Sequence, residues 1–259
     1  MTTPAAVDRS ALEDKVKTMY TDVAANPHGE FHFEMGRVMA ERLGYTPADL
    51  DRIPAEAIDS FAGVGHFFHL ARLQPGERVV DLGSGSGMDS FLAALQVQAA
   101  GRVVGVDMTD GQLEKARRLA RDRNISNASF HKAYIEDTGL ESGSFDCVIS
   151  NGVINLAPDK RRVFQEAARL LRPGGRLALA DIVTATPLPE NVVCNADLWA
   201  ACIGGAAQRD AYRAAIENAG LVVERFEDNP EYHFISERAQ KATAKWGVAS
   251  VSLLARKEG

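Results

Sequence analysis

Directly behind a β-branched run, Arg78-Val79-Val80-Asp81-Leu82, the chain places glycines at alternate positions, Gly83, Gly85 and Gly87. Glycine reaches backbone conformations closed to other residues and lets a ligand lie against the main chain without a Cβ clash. The loop is followed by sequence of helical period, the pattern of a strand that turns into a crossover helix. The same alternation recurs. Apolar runs stand at residues 102–107, more weakly at 128–130, then at 145–149 and 176–181. They are continuous rather than alternating, as in parallel strands buried on both faces. Helical stretches separate them: Leu113, Ala116 and Ala120 share one face behind a capping-box spacing from Thr109 to Gln112. Residues 159–171 carry Val163, Phe164, Ala167, Leu170 and Leu171 and stop at Arg172-Pro173-Gly174-Gly175, which reads as a turn. With two more runs at 221–223 and 248–255, the expectation is an α/β fold with a doubly wound, seven-stranded, mostly parallel sheet.

The first 74 residues do not alternate in this way. Ser10-Ala11-Leu12-Glu13 has capping-box spacing, and Leu12, Val16, Met19, Tyr20 and Val23 form a helical stripe. A second helix is expected over 34–43 with Gly44 as its stop, and Thr46-Pro47 opens a third. Residues 1–74 are therefore expected to form a helical cap on a domain at 75–259, with 184–207 as a substrate-side insertion.

Composition narrows the partners. Lys and Arg total 29 against 35 Asp and Glu, and the basic residues are interleaved with acids, as in Glu114-Lys115-Ala116-Arg117-Arg118. Nucleic-acid affinity rests on clustered cations, so no nucleic-acid partner is expected. No apolar run approaches the roughly 20 residues of a membrane span, and residues 1–15 lack the apolar core of a secretory signal. The three cysteines are widely spaced and make no CxxC pair; together these features imply a soluble protein of a reducing compartment, the cytoplasm. No metal-ligand spacing is present, and nothing in the pattern sets an oligomeric state.

The glycine loop alone is also consistent with a mere tight turn. Asp107, closing the second run twenty residues after Gly87, adds an acid where a ribose diol could be held. A dinucleotide fingerprint would need glycine at the position of Met88, and no Lys-Ser/Thr pair is present for a triphosphate. A ribose acid beside a glycine loop without phosphate machinery suits a nucleoside lacking phosphate, and S-adenosylmethionine is the obvious candidate.

With these residues in place, the chain resembles the class I S-adenosylmethionine-dependent methyltransferases. The resemblance rests on Val79-Val80-Asp81-Leu82-Gly83-Ser84-Gly85-Ser86-Gly87, Val106-Asp107-Met108-Thr109, Ser144-Phe145-Asp146-Cys147-Val148-Ile149-Ser150-Asn151 and Leu170-Leu171-Arg172-Pro173-Gly174-Gly175. It implies a Rossmann-like methyltransferase fold with S-adenosylmethionine as cofactor. It further implies that Gly83, Gly85 and Gly87 line the methionine part, that Asp107 holds the ribose and that Met108 flanks the adenine. Tyr134, Ile135 and Glu136 would border the adenine edge, Asn151 would sit under the sulfonium, and Asp81, Ser84 and Gln112 would complete the cofactor set.

Within that superfamily the chain looks most like the arsenite methyltransferases, on Ser150-Asn151-Gly152-Val153-Ile154-Asn155-Leu156-Ala157-Pro158-Asp159-Lys160, Ala180-Asp181-Ile182-Val183, Leu188-Pro189-Glu190 and Ala201-Cys202-Ile203-Gly204-Gly205-Ala206. It departs from them at two thiol positions: Gly152 follows the Ser-Asn pair, and Val64 stands between Gly63 and Gly65. Only Cys202 matches a family cysteine, while Cys147 falls in an expected buried strand and should be inert. Trivalent arsenic needs converging thiolates, so the resemblance implies methyl transfer to something other than arsenite.

The acceptor candidates lie outside the cofactor motifs. They are Tyr20 with His28, His32 and their neighbouring phenylalanines, His66 within the segment 60–69, Cys202 with Cys194 and Trp199, and Tyr232-His233-Phe234. Histidines among aromatics suit a pocket with a titratable group. At least one of His28, His32 and His66 is expected to face it, with Tyr20 and Cys202 the other candidate catalytic groups. The favoured acceptor is a small thiol or other soft nucleophile. Methylation at oxygen or carbon of a specialised metabolite, and cofactor binding without catalysis, remain alternatives.

Overall fold

The computed structural model describes residues 9–31, 33–193 and 204–259. Its strands are β1 (Arg78–Leu82), β2 (Arg102–Asp107), β3 (Ala128–Lys132), β4 (Phe145–Asn151), β5 (Leu171–Thr184), β6 (Ala207–Gln208), β7 (Leu221–Asp228) and β8 (Ala249–Lys257). They form one sheet in the order β3-β2-β1-β4-β5-β8-β7, with β6 paired to β5. Strands β1 to β6 run parallel, and β8 is antiparallel to both β5 and β7. The helices are α1 (Arg9–Ala25), α2 (Arg37–Arg42), α3 (Pro47–Leu50), α4 (Ala55–Asp59), α5 (Phe68–Ala71), α6 (Met88–Val97), α7 (Asp110–Asp122), α8 (Lys160–Leu170), α9 (Glu190–Val193), α10 (Arg209–Glu217) and α11 (Glu237–Trp246).

The continuous apolar runs are indeed covered on both faces. Val79, Val80 and Leu82 of β1 are fully buried, as are Val148 and Ile149 of β4. One core lies between the sheet and Leu12, Val16, Met39, Leu50, Phe91 and Leu113, so α1 to α4 share it with α6 and α7. The other lies under α8 and α10, where Phe164 and Tyr212 meet edge to face with ring centroids 5.1 Å apart. Leaving β1, the chain order moves one way through β2 and β3 and the other way through β4 and β5. Loops leaving β1 and β4 therefore diverge, and a crevice opens beyond the carboxyl ends of the strands.

Several local expectations change. Residues 172–175 are not a free turn between helix and strand. β5 already begins at Leu171, and its register against β4 jumps from Phe145↔Leu171 to Cys147↔Arg176, so these residues bulge within the ladder. Neither capping box forms as expected. The Thr109 backbone N–H is taken by Asp107 Oδ1 at 2.8 Å, while Gln112 is buried and satisfies itself elsewhere, accepting from Ser86 Oγ and donating to Tyr20 O. Glu13 accepts from Lys17 Nζ and Tyr134 OH, and α1 starts ahead of Ser10. The second helix is shorter than expected, with Gly36 at φ +84° before it. The third is capped as expected, Thr46 Oγ1 accepting from the Asp49 N–H at 3.2 Å. Neither α11 nor β6 is predicted by the sequence pattern. No helix among the described residues is long and apolar enough to cross a membrane.

Candidate functional site

A cleft of about 470 Å3 lies beyond the carboxyl ends of β1, β2 and β4. Its floor is the loop after β1. Gly83 and Gly85 hold φ of +78° and +52°, which keeps the main chain close to the crevice, and the Gly83 N–H donates to Val106 O at 2.8 Å. Asp107 ends β2 with its carboxylate fixed by the Gly85 N–H at 3.0 Å and the Thr109 N–H at 2.8 Å. Met108, Gln112, Tyr134, Ile135, Glu136 and Asn151 also line the cleft, together with Asp81, Ser84 and Tyr20. These residues come from the carboxyl ends of β1, β2 and β4, the segments that follow β1, β2 and β3, and from α1 and α7, and the fold brings them together.

Gly87 is placed differently from Gly83 and Gly85. It is the αL N-cap of α6, and a Cβ there would sit 2.8 Å from the Phe130 ring and 3.0 Å from Phe91. Its side is turned to the core between α6 and β3, not to the cleft lining.

The titratable candidates separate as well. His28 lies on a surface groove with Pro27, Glu56, Lys115 and Arg118, away from the cleft. His66 sits behind the wall, edge-on to Tyr45 with centroids 4.7 Å apart and stacked on His69, and burial holds its pKa down at about 4. Neither His28 nor His66 is among the residues lining the cleft, so neither meets the expectation of an imidazole facing the pocket. His32 and Cys202, with Cys194 and Trp199, lie outside the described residues. Tyr232 and Phe234 pack on each other, 5.0 Å apart, and do not line the cleft. Cys147 is fully buried in β4, which pushes its thiol up to about 12.

The cleft is acidic. Among the described residues, Glu13, Asp81, Asp89, Asp107, Glu136, Asp137 and Asp159 line it against one cation, Arg162. Asp81 is buried, accepts from Ser90 Oγ at 2.6 Å, and is pushed up to about 8 by burial and then by the Asp89 charge. Asp89, unnoticed in the sequence, is also buried and raised, to about 6, by burial. Its Oδ1 accepts from Tyr45 OH at 2.7 Å and its Oδ2 from Asn151 Nδ2 at 3.0 Å. Asn151 in turn accepts the Val64 N–H on Oδ1 at 2.8 Å and donates to Gly65 O at 3.0 Å, tying residues 63–65 to the end of β4. Nothing in a single sequence marks Tyr45 or Asp89, since their partners lie far along the chain.

The two departures from the thiol pattern meet in space. A Cβ on Gly152 would lie 3.1 Å from Val64 Cγ1, and Gly152 has φ +71°. Val64 is buried and occupies the space beside the glycine. A side chain at position 152 would be strained by the backbone conformation and would require Val64 to shift.

Several features test the fit of a nucleoside cofactor. Ser84 Oγ is buried without a hydrogen-bond partner among the described residues, leaving a polar atom for a ligand in the glycine loop. A Cβ on Gly85 would meet nothing closer than Gln112 Oε1 at 3.7 Å, so the loop leaves room on that side. No lysine or arginine stands in the loop to meet phosphates. An acid-ended second strand, an open glycine cradle and acidic walls fit a phosphate-free, cationic nucleoside.

The fold and cleft define a class of proteins that bind such a nucleoside across the switch point of a Rossmann-like sheet. The family described as "Methyltransferase domain" matches residues 73–220. Arsenite methyltransferases are among the relatives. That of Halobacterium salinarum is 40% identical over 199 residues, 76% of this chain and 51% of its own length. That of Homo sapiens is 42% identical over 137 residues, 49% of this chain and 36% of its own length. The crystal structure of an arsenic(III) S-adenosylmethionine methyltransferase from Chlamydomonas reinhardtii superposes with a TM-score of 0.63 at 31% identity, covering 87% of this chain and 75% of that one. The chain belongs to the methyltransferase-domain family. It spans about half the length, or less, of these two curated relatives.

Proposed function

We propose that the chain transfers the methyl group of S-adenosylmethionine to a small thiol or other soft nucleophile. The observation that carries this reading is the cleft's lack of an imidazole among its described lining residues, His28 and His66 both standing outside it. A thiol, with a free pKa near 8.5, ionises with little help, whereas an alcohol or phenol calls for a positioned base.

When bound, the cofactor supplies a methyl group already activated on sulfonium. Gly83, Ser84 and Gly85 would hold its methionine end, and Asp107, fixed by two backbone amides, would take the ribose hydroxyls. Met108, Tyr134, Ile135 and Glu136 would border the adenine, with Gln112 anchoring α1 against the loop through Tyr20 O at 2.8 Å. Leu12, Val16, Phe61 and Leu156 give the cleft apolar walls that exclude water. Residues 1–74 then act as a cap over the domain at 75–259, because α1 supplies Leu12, Glu13, Val16 and Tyr20 to the cleft lining. The chain's own contribution is alignment of the acceptor and desolvation rather than covalent chemistry.

Arsenite is disfavoured as acceptor, because positions 64 and 152 present an isopropyl group and a hydrogen where the resemblance to arsenite methyltransferases implies thiols. That same apolar pair favours a second reading, methylation at oxygen or carbon of a specialised metabolite. Incubation with radiolabelled S-adenosylmethionine and a panel of small thiols, phenols and arsenite tests these readings. Label on a thiol supports the first, label on a phenol or carbon acid the second. Label on arsenite that disappears in Cys202→Ser refutes both, and tight cofactor binding without transfer to any acceptor refutes catalysis.

A further inference from the structure

Asp89 stands where the two halves of the cleft meet. It belongs to the first turn of α6, immediately after the glycine loop that forms the cofactor side. One of its oxygens is bound by Asn151, whose own side chain holds the backbone of Val64 and Gly65 on the opposite side, beside Gly152. The other is bound by Tyr45, a residue buried to 3% exposure whose hydroxyl has no other role visible than to serve Asp89, Asn151 and Gly65. Asp89 itself is 5% exposed and lines the cleft.

Both partners of this carboxylate are neutral. Among the described residues, no Lys, Arg or His reaches within 4.0 Å of it. A buried carboxylate without a cationic partner is costly, and two hydrogen bonds from neutral donors offset only part of that cost. A positive centre placed at this junction would relieve that cost, and a neutral one would not. Charge is what methyl transfer changes there, since the donor sulfur carries it before the reaction and loses it afterwards.

We propose that Asp89, held by Tyr45 and Asn151, is the counter-charge by which the cleft distinguishes the sulfonium cofactor from the neutral thioether left after transfer. The inference rests on the assignment of this cleft to S-adenosylmethionine. Asp89 is a positioning residue for the donor: it favours entry of the charged form and release of the spent one. Tyr45 and Asn151 keep the carboxylate ionised and aimed, because each donates to one oxygen.

Two ligands that differ only in that charge make the test. S-adenosylmethionine and S-adenosylhomocysteine share the adenosine, ammonium and carboxylate groups, so the ratio of their dissociation constants isolates the sulfonium. Isothermal titration of the whole chain should show tighter binding of S-adenosylmethionine. Asp89→Asn keeps the shape and an acceptor oxygen; it should weaken S-adenosylmethionine tenfold or more while changing S-adenosylhomocysteine less than about threefold. Tyr45→Phe, which leaves the charge but removes one tether, should lower the ratio by a smaller factor, and it provides the measurement should Asp89→Asn not fold. Equal weakening of both ligands in Asp89→Asn, or in Tyr45→Phe where only that variant folds, would overturn the proposal and leave Asp89 a structural residue. Failure of the unsubstituted chain to bind either ligand would overturn the assignment of the cleft itself.

Discussion

Gly83→Ala offers a quantitative check on how the cleft floor is built. Gly83 has φ +78°, so any side chain there incurs the left-handed penalty, about 1–2 kcal/mol. The new methyl would also lie 2.5 Å from Val153 Cγ1 and 2.7 Å from both Val153 Cβ and Cγ2. Overpacking of this kind costs a further ~1–3 kcal/mol, for a total of roughly 2–5 kcal/mol. At ~2–4 °C per kcal/mol for a domain of this size, the melting temperature should fall by about 4–20 °C. Gly76→Ala separates the two contributions: Gly76 has φ +88° with nothing within 4 Å of an added Cβ, so it should show the backbone penalty alone. Differential scanning calorimetry of both variants, with Val153→Ala added in each background, reads the steric part as a favourable coupling between positions 83 and 153. Equal losses in Gly83→Ala and Gly76→Ala, or no coupling to Val153→Ala, would refute the account of why this position must be glycine.

Two other outcomes follow from the electrostatics of the site. Burial raises the folded-state pKa of Asp81 to about 8, above its value of about 3.9 in an unfolded chain, so between these values the folded state holds a proton the unfolded state has released. Without ligand, stability should therefore fall as pH rises from 6.5 to 8, a window above the contributions of Asp89 at about 6 and of His66, whose lowered pKa acts in the opposite sense below 6.5. Asp81→Asn should flatten the dependence of melting temperature on pH in that window; an unchanged slope would contradict the assignment. Asp107→Ala removes the acceptor that fixes the N–H groups of Gly85 and Thr109 and should weaken cofactor binding about tenfold to hundredfold by titration calorimetry; unaltered affinity would place the ribose elsewhere.

Much of the sheet could be read in advance because parallel strands buried on both faces leave an unusual signature. The runs at 78–82, 102–107 and 145–149 each become a central strand, and Asp107 stands at the carboxyl end of the second. The glycine loop was legible for the same reason, since positive φ is a property of single residues. Side-chain networks were not. Gln112 looked like half of a capping box, yet it is buried and paired with Ser86 and Tyr20, the latter 92 residues away. His66 looked like a pocket group and instead packs behind Tyr45. Tyr45 and Asp89 are separated by 44 residues, and each is unremarkable in its own segment.

By itself, then, the sequence determined where the central strands lie along the chain, the glycine turn that follows the first of them and the absence of thiols at positions 64 and 152. These depend on neighbours along the chain, through backbone conformation and the periods of burial. Tertiary structure alone decided which groups face one another across the cleft: the Tyr45–Asp89–Asn151 junction, the contact of Val64 with Gly152, and the exclusion of His28 and His66 from the cleft lining. Those depend on how α1 to α5 pack against the loops leaving β1 and β4. That packing is set by buried surface contributed from segments far apart, which no local pattern encodes.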